Sequence, residues 1–259
     1  MTTLAIHSQL LTTRAVRTLA RQPWFVAVTL VQPVVWLLIF GQLFARVVDI
    51  PGFDTTGSYL EFLTPGVVMM TALMSSAWAG TVYIEDMNRG VMDRLLASPV
   101  RRGAMTIGTL AYQTITTIIQ TVIVLLIAVL AGARFEGAAA GVPLTLVAAS
   151  LLTIVFAALS NAVALLVRQQ EALIGISQFV SLPLSFLCSA VMDISLAPAW
   201  VQDVARYNPV DWAVVVSRES LASAPDWGAV WPRLGALAVV AVVMGALASR
   251  AFDAYQRSL

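Results

Sequence analysis

The sequence predicts an all-helical membrane protein that crosses the bilayer six times. Of its 259 residues, 59% are hydrophobic and only 11% are charged, whereas soluble domains carry about 25% charged residues. The mean hydropathy is +0.85. Six apolar stretches are long enough to cross the ~30 Å hydrocarbon core as helices. No repeat or low-complexity linker divides the chain, so residues 1–259 are expected to form a single transmembrane domain.

The predicted spans fix an orientation in the membrane. They cover residues 24–44, 62–84, 104–131, 142–167, 172–192 and 229–249. The first is too long for a signal-peptide core of about 7–15 residues, so we expect it to be retained. With the N terminus inside, ten of the fifteen arginines lie in cytoplasmic segments. This bias predicts that both termini lie in the cytoplasm, and we expect the membrane to be the plasma membrane.

Residues 1–22 precede the first span and have an amphipathic pattern. Leu4, Leu11 and Leu19 recur at helical spacing, and Pro23 interrupts the helix before the span. We expect a helix lying on the cytoplasmic interface of the bilayer. A disordered basic tail is the alternative.

Residues 85–102 form the most polar loop of the chain. A short cytoplasmic helix over residues 88–97 is expected, with Asn88 as its cap and Pro99 as its stop. Its apolar residues form one patch, namely Val91, Met92, Leu95 and Leu96. An exposed patch of this kind needs a cover, which lipid, the protein's own helices or a soluble partner could provide.

Residues 193–228 form a long outer segment before the last span. Pro198 can begin one helix, Asn208-Pro209 interrupts it, and a second helix is expected over residues 211–222. Both helices are too short to span the membrane. We therefore expect a re-entrant helical hairpin in the outer leaflet, anchored by tryptophans at the interface.

Several kinds of chemistry are excluded by the composition. The chain contains no lysine, and a P-loop needs one for the β- and γ-phosphates of a nucleotide. His7 is the single histidine. We therefore expect no enzymatic activity and no cofactor or metal bound by this chain. The net charge of +1 gives no indication of nucleic-acid binding. The centres of the spans lack ionisable residues, which counts against an ion-coupled carrier.

Uncharged polar residues form stripes on three predicted spans. Stripes of small polar residues most often pack helices together, and a substrate-facing wall is the alternative. The candidates for a substrate path are Thr71, Ser75, Trp78, Gln113, Thr117, Gln120, Ser177, Ser181 and Ser185.

Two motifs on opposite sides of the membrane carry a resemblance to a known family. The inner motif runs from Glu85 through Arg89-Gly90 and Leu95-Leu96 to Ser98-Pro99, and the outer motif joins Pro198 and Trp200 to Asn208-Pro209. Together they resemble ABC-2 type transporter permeases of the daunorubicin-resistance membrane-subunit kind. Asp93 stands where that family usually has glutamate, and Arg94 is unusual there.

The resemblance implies roles for both motifs. The inner motif would be the coupling helix that receives force from a separate ATPase, and the outer motif would form an extracellular gate. The implied coupling residues are Glu85, Asp86, Arg89, Gly90, Val91, Met92, Asp93, Leu95, Leu96 and Pro99. The implied gate residues are Trp200, Tyr207, Asn208 and Pro209.

The resemblance also implies partners and a function. Two permeases would pair, as a homodimer or with a second permease, and ABC ATPase subunits would bind ATP and Mg. The assembly would export a hydrophobic or amphiphilic small molecule, such as a drug or natural product. A lipid or polysaccharide exporter is the alternative within the family, although the few central aromatics argue against a glycan path. A motor-independent facilitator or secondary carrier is the alternative of another class.

Overall fold

The computed structural model of the chain describes residues 23–49, 57–91 and 102–257, and helices dominate all three ranges. The predicted interface helix over residues 1–22 lies outside them. We label the main helices α1 (Pro23–Val35), α2 (Tyr59–Ala77), α3 (Thr81–Asn88), α4 (Arg102–Leu130), α5 (Ala138–Val167), α6 (Gln170–Phe186), α7 (Ala199–Ala205), α8 (Pro209–Leu221) and α9 (Trp227–Arg257). A π-helical turn, Trp36–Phe40, and a short α-helical piece, Gly41–Leu43, continue α1.

Four of the predicted spans are helices of full membrane-crossing length and apolar composition. They are Tyr59–Asn88, Met105–Leu130, Ala138–Val167 and Trp227–Phe252. The other two coincide with shorter helices, the apolar Ala27–Leu43 and the 17-residue Gln170–Phe186. The all-helical class is confirmed for the described ranges, with four helices that could cross a membrane.

Helix α5 lies in the middle of the bundle. It packs against α2, α4, α8 and α9. Its buried positions are rich in small residues, including Ala148, Ala149, Ala157 and Ala158. Small side chains let helix backbones approach closely, which favours dense packing between apolar helices.

Helix α8 is also covered by protein, although it is short and carries charges. Asn208 caps it and Pro209 opens its first turn, as the residue preferences of helix starts predict. It packs against α5, α9 and α2, with Val210, Val214 and Val216 fully buried. One limb of the predicted hairpin is thus part of the packed core, whereas α7 carries the exposed Trp200.

The second predicted span is broken near its end. The sequence predicted one helix over residues 62–84, but a turn at residues 78–80 separates α2 from α3. Asn88 is the last residue of α3, so its prediction as the cap of a following helix is wrong. The physical reason is that Arg89 and Gly90 complete the end of α3 instead. Gly90 has a φ of +64°, the left-handed conformation that commonly ends a helix.

Candidate functional site

The predicted coupling segment begins on α3. Glu85 and Asp86 lie in the last turns of that helix, and Arg89, Gly90 and Val91 follow. The Arg89 guanidinium lies 3.2 Å from the Glu85 carboxylate, and both side chains are exposed, so this pair contributes little stability. The remaining coupling candidates lie outside the described residues, namely Met92, Asp93, Leu95, Leu96 and Pro99.

Helix α3 is anchored to two longer helices through Tyr83. Its hydroxyl lies 3.2 Å from Oγ1 of Thr109 on α4. Thr109 donates its own proton to the carbonyl of Thr106, so Tyr83 is the donor in that pair. The amide of Asn161 on α5 also donates to Thr109, at 3.2 Å. The buried Tyr83 ring additionally contacts Phe252 of α9, with ring centroids 6.2 Å apart. The base of the coupling segment is therefore tied to the core.

Side chains from other helices replace the backbone bonds missing at the α2–α3 turn. The carbonyl of Ala77 accepts from Ser160 of α5 at 2.7 Å and from Ser177 of α6 at 2.8 Å. The amide of Gly80 donates to the Ser160 hydroxyl at 3.0 Å. These bonds fix the backbone on both sides of the break.

Most of the predicted substrate-path residues lie between helices of the same chain. Thr117 accepts from Thr153 of α5 at 2.9 Å, and the Gln120 amide donates to Thr29 of α1 at 3.1 Å. All but two of the nine are buried, Ser75 being half-buried and Trp78 46% exposed. Thr71, Ser75 and Ser185 donate to carbonyls of their own helices, while Gln113 and Ser181 are buried. This arrangement favours helix packing over a substrate-facing wall.

The four predicted gate residues differ in exposure. Trp200 and Tyr207 are exposed, whereas Asn208 is buried, and Pro209 begins α8. The Asn208 amide donates to the carbonyls of Leu184 and Leu187 at 2.8 and 2.7 Å, while its oxygen accepts from the amide of Val210 at 2.9 Å. Asn208 therefore connects the start of α8 to the end of α6.

Arg218 and Asp211 complete this connection, and neither was predicted as a site residue. One guanidinium nitrogen of Arg218 donates to the carbonyls of Ser189 at 2.6 Å and Phe62 at 3.2 Å. The guanidinium carbon lies 3.7 Å from the centre of the Phe62 ring, a favourable cation–π geometry. The Asp211 carboxylate accepts from the amide of Ser189 at 2.7 Å. Asp211 and Arg218 are seven residues apart, which places both on one face of the helix. This spacing is the sequence signal that could have identified them as a pair.

The charge of Arg218 persists in this environment. Burial of the guanidinium lowers the pKa of Arg218 to about 10, and the nearby Asp211 carboxylate acts in the opposite direction. Arg218 is therefore protonated at neutral pH. A cation at this position lets one side chain satisfy carbonyls from two separate segments, because a guanidinium carries five donors in a rigid fork.

Comparison with known proteins identifies the family. Residues 7–222 match the ABC-2 type transporter family. The chain is 29% identical over 191 residues to a daunorubicin resistance ABC transporter permease protein of Streptomyces coeruleorubidus, covering 72% of this chain and 65% of that relative. It is 25% identical over 208 residues to a putative transport permease of Porphyra purpurea, covering 80% and 70%.

A third relative extends the comparison. It is a probable doxorubicin resistance ABC transporter permease protein of Mycobacterium tuberculosis, 22% identical over 189 residues, with 73% of this chain and 67% of the relative covered. The matched region includes α2–α3, the central α5 and the whole of α8. The apolar helices agree with a protein that resides in a membrane. The chain therefore belongs to the ABC-2 type transporter family, as one of its membrane permeases.

Proposed function

We propose that this chain is the transmembrane subunit of an ATP-driven exporter and is energised by a separate ATPase subunit. The main support is the anchoring of α3. It leads directly into the polar segment 85–102, and the Tyr83 hydroxyl ties it to α4 and α5. A segment whose first residues, such as Glu85 and Arg89, are exposed and whose base is fixed is suited to receive a displacement from a soluble partner. ATP and Mg would be bound by that partner.

The proposed topology has six spans and cytoplasmic termini. The two shorter helices, Ala27–Leu43 and Gln170–Phe186, complete the six, since bilayers adapt to short hydrophobic segments by thinning. Two such chains, identical or different, would pair in the plasma membrane. The hairpin of α7 and α8 would face outward, and its exposed Trp200 and Tyr207 would lie beside the exit path.

The proposed cargo is a hydrophobic or amphiphilic small molecule. Relatives named for daunorubicin and doxorubicin resistance support this class. Side chains buried within the long helices α4 and α5 are apolar or uncharged, which suits a lipophilic cargo better than an ion. Export of a lipid or polysaccharide is the second candidate, favoured by the exposed aromatic side chains of the hairpin.

The test of the motor assignment is association with the ATPase encoded by a neighbouring gene. Co-expression and purification should yield a complex whose ATP hydrolysis exceeds that of the ATPase alone. Inverted vesicles containing the complex should accumulate daunorubicin, a fluorescent probe, only when ATP is supplied. Uptake without ATP or ATPase would favour the motor-independent facilitator and contradict the proposal.

Leu96→Asp tests the coupling segment directly. A charge in its apolar patch should abolish association with the ATPase, because a carboxylate cannot be buried in an apolar groove without a partner. Gln170→Asp is the matched control, since it places the same charge in the other predicted cytoplasmic connection. Membrane insertion of both variants should equal that of the wild type, measured by carbonate extraction. A Leu96→Asp variant that still binds the ATPase would refute the coupling role.

A further inference from the structure

One side chain of a different helix, Ser160 of α5, bonds to both sides of the turn between α2 and α3. The Ser160 hydroxyl donates to the carbonyl of Ala77 at 2.7 Å and accepts from the amide of Gly80 at 3.0 Å. It thus uses its single proton and one lone pair on the two sides of the break. Ser160, Ala77 and Gly80 are all buried, so water does not substitute readily for this hydroxyl.

The backbone at Gly80 lies so close to α5 that a side chain at this position would clash. A side chain at Gly80 would place its Cβ against the carbonyl oxygen of Ser160 and 2.8 Å from Cβ of Ala164. The glycine therefore allows α3 to lie directly on α5. Three residues farther along, the Tyr83 hydroxyl contacts Thr109, which also accepts from Asn161 of α5. Residue 80 thus joins α3 directly to the central helix α5, and residue 83 joins it indirectly through Thr109 of α4.

We propose that Ser160 is a positioning residue that locks α3 to α5 across the break in the second span. A broken helix without such a connection would act as a swivel, because interrupting the backbone ladder is a common cause of kinks. With the hydroxyl in place, α3 and the adjoining part of α5 move as one body. A displacement of segment 85–102 is then delivered to α5, and through it to the bundle, instead of being absorbed at residues 78–80. This role in transmission rests on the proposed function.

The lock is tested on the chain alone, reconstituted in lipid nanodiscs. Cys188→Ala removes the single cysteine, and spin labels are attached at the exposed positions Asn88 on α3 and Leu166 on α5. Pulsed electron paramagnetic resonance should give a narrow distance distribution for wild-type Ser160 and a broader one for Ser160→Ala. Ser150→Ala is the matched control, because that hydroxyl donates only to Leu146 of its own helix. Equal widths for the two variants would overturn the proposal.

Gly80→Ala provides a second variant in case Ser160→Ala folds poorly. It keeps the hydroxyl but separates α3 from α5, so it should broaden the same distribution. A narrow distribution in Gly80→Ala would contradict the proposed closeness of the two helices. Neither measurement requires an ATPase or a cargo, so its result is independent of the proposed transport function.

The consequence for transport is tested with the purified permease–ATPase complex in vesicles, with daunorubicin as the probe. Ser160→Ala should hydrolyse ATP nearly as fast as wild type but move about fivefold less probe per ATP, a loss typical of residues that carry coupling. If ATP hydrolysis and probe transport fell by the same factor, Ser160 would have a merely structural role, and the inference would be overturned. If the wild-type complex itself moves no probe, the proposed function fails, and the distance measurement still decides the lock.

Discussion

Asn208 and Arg218 donate hydrogen bonds to backbone carbonyl groups at and just after the end of α6. Carbonyl groups at a helix end lack partners within the helix, and α6 ends at Phe186. Asn208 donates to the carbonyls of Leu184 and Leu187, while Arg218 donates to that of Ser189. Each of these two residues therefore serves two elements, and neither can be replaced by an apolar residue of similar size.

Asn208→Asp separates the two tasks of Asn208. The aspartate keeps an acceptor for the amide of Val210 but loses both donors, and it places a carboxylate against two carbonyl oxygens. We expect a loss of about 3 kcal/mol in stability, since buried polar groups without partners are costly. The apparent melting temperature in detergent measures this loss. Asn88→Asp, at an exposed position, is the control, and equal melting temperatures for the two variants would contradict the assigned role.

At the scale of the element, apolar length and breaker residues predicted most of the helices. Residues 104–131 were predicted for α4 and 142–167 for α5, close to the observed Arg102–Leu130 and Ala138–Val167. Pro198 correctly predicted the start of α7, whereas α8 begins at Pro209, two residues before the predicted start at residue 211. These features are local, because a helix in lipid must satisfy its own backbone groups.

Two of the missed features depend on contacts between distant segments. The break at residues 78–80 is stabilised by Ser160 and Ser177, more than 80 residues farther along the chain. Arg218 was counted among outer arginines, but its partners Phe62 and Ser189 lie on other segments. No local sequence pattern encodes such pairings. The sequence therefore predicted the helices but not the hydrogen bonds that connect them.

Paired substitutions can show whether the polar stripe on α4 packs helices together or lines a substrate path. Thr117→Val or Thr153→Val alone removes one partner of a buried hydroxyl pair and should destabilise by about 0.6 kcal/mol, the average for such bonds between membrane helices. The double variant should recover part of this loss, since replacing both partners by apolar groups of similar shape can be nearly neutral. Melting temperatures of the three variants in detergent test this.

Daunorubicin transport by the same variants distinguishes packing from a substrate wall. If the stripe packs helices, the double variant transports the probe at a rate close to that of wild type. A changed half-saturating probe concentration in a stable double variant would instead assign these residues to the substrate path.

At the scale of the whole molecule, the six-span topology has a direct chemical test. In a Cys188→Ala background, single cysteines are introduced at Glu136 and Gln169, both exposed and predicted to face opposite sides. A membrane-impermeant maleimide should label position 136 in intact cells and position 169 only after permeabilisation. The cysteine-free chain is the control, and labelling of position 169 in intact cells would contradict the orientation.

The burial of α8 has a consequence for how the protein is made. At 13 residues, this helix is about 20 Å long and too short to cross the bilayer by itself. It packs against α5, synthesised before it, and α9, synthesised after it. During translation, α8 therefore emerges while its neighbour α9 does not yet exist. Insertion of the last helix is the step that closes the core, and in a nascent chain halted before Trp227 the face of α8 that packs against α9 would remain uncovered.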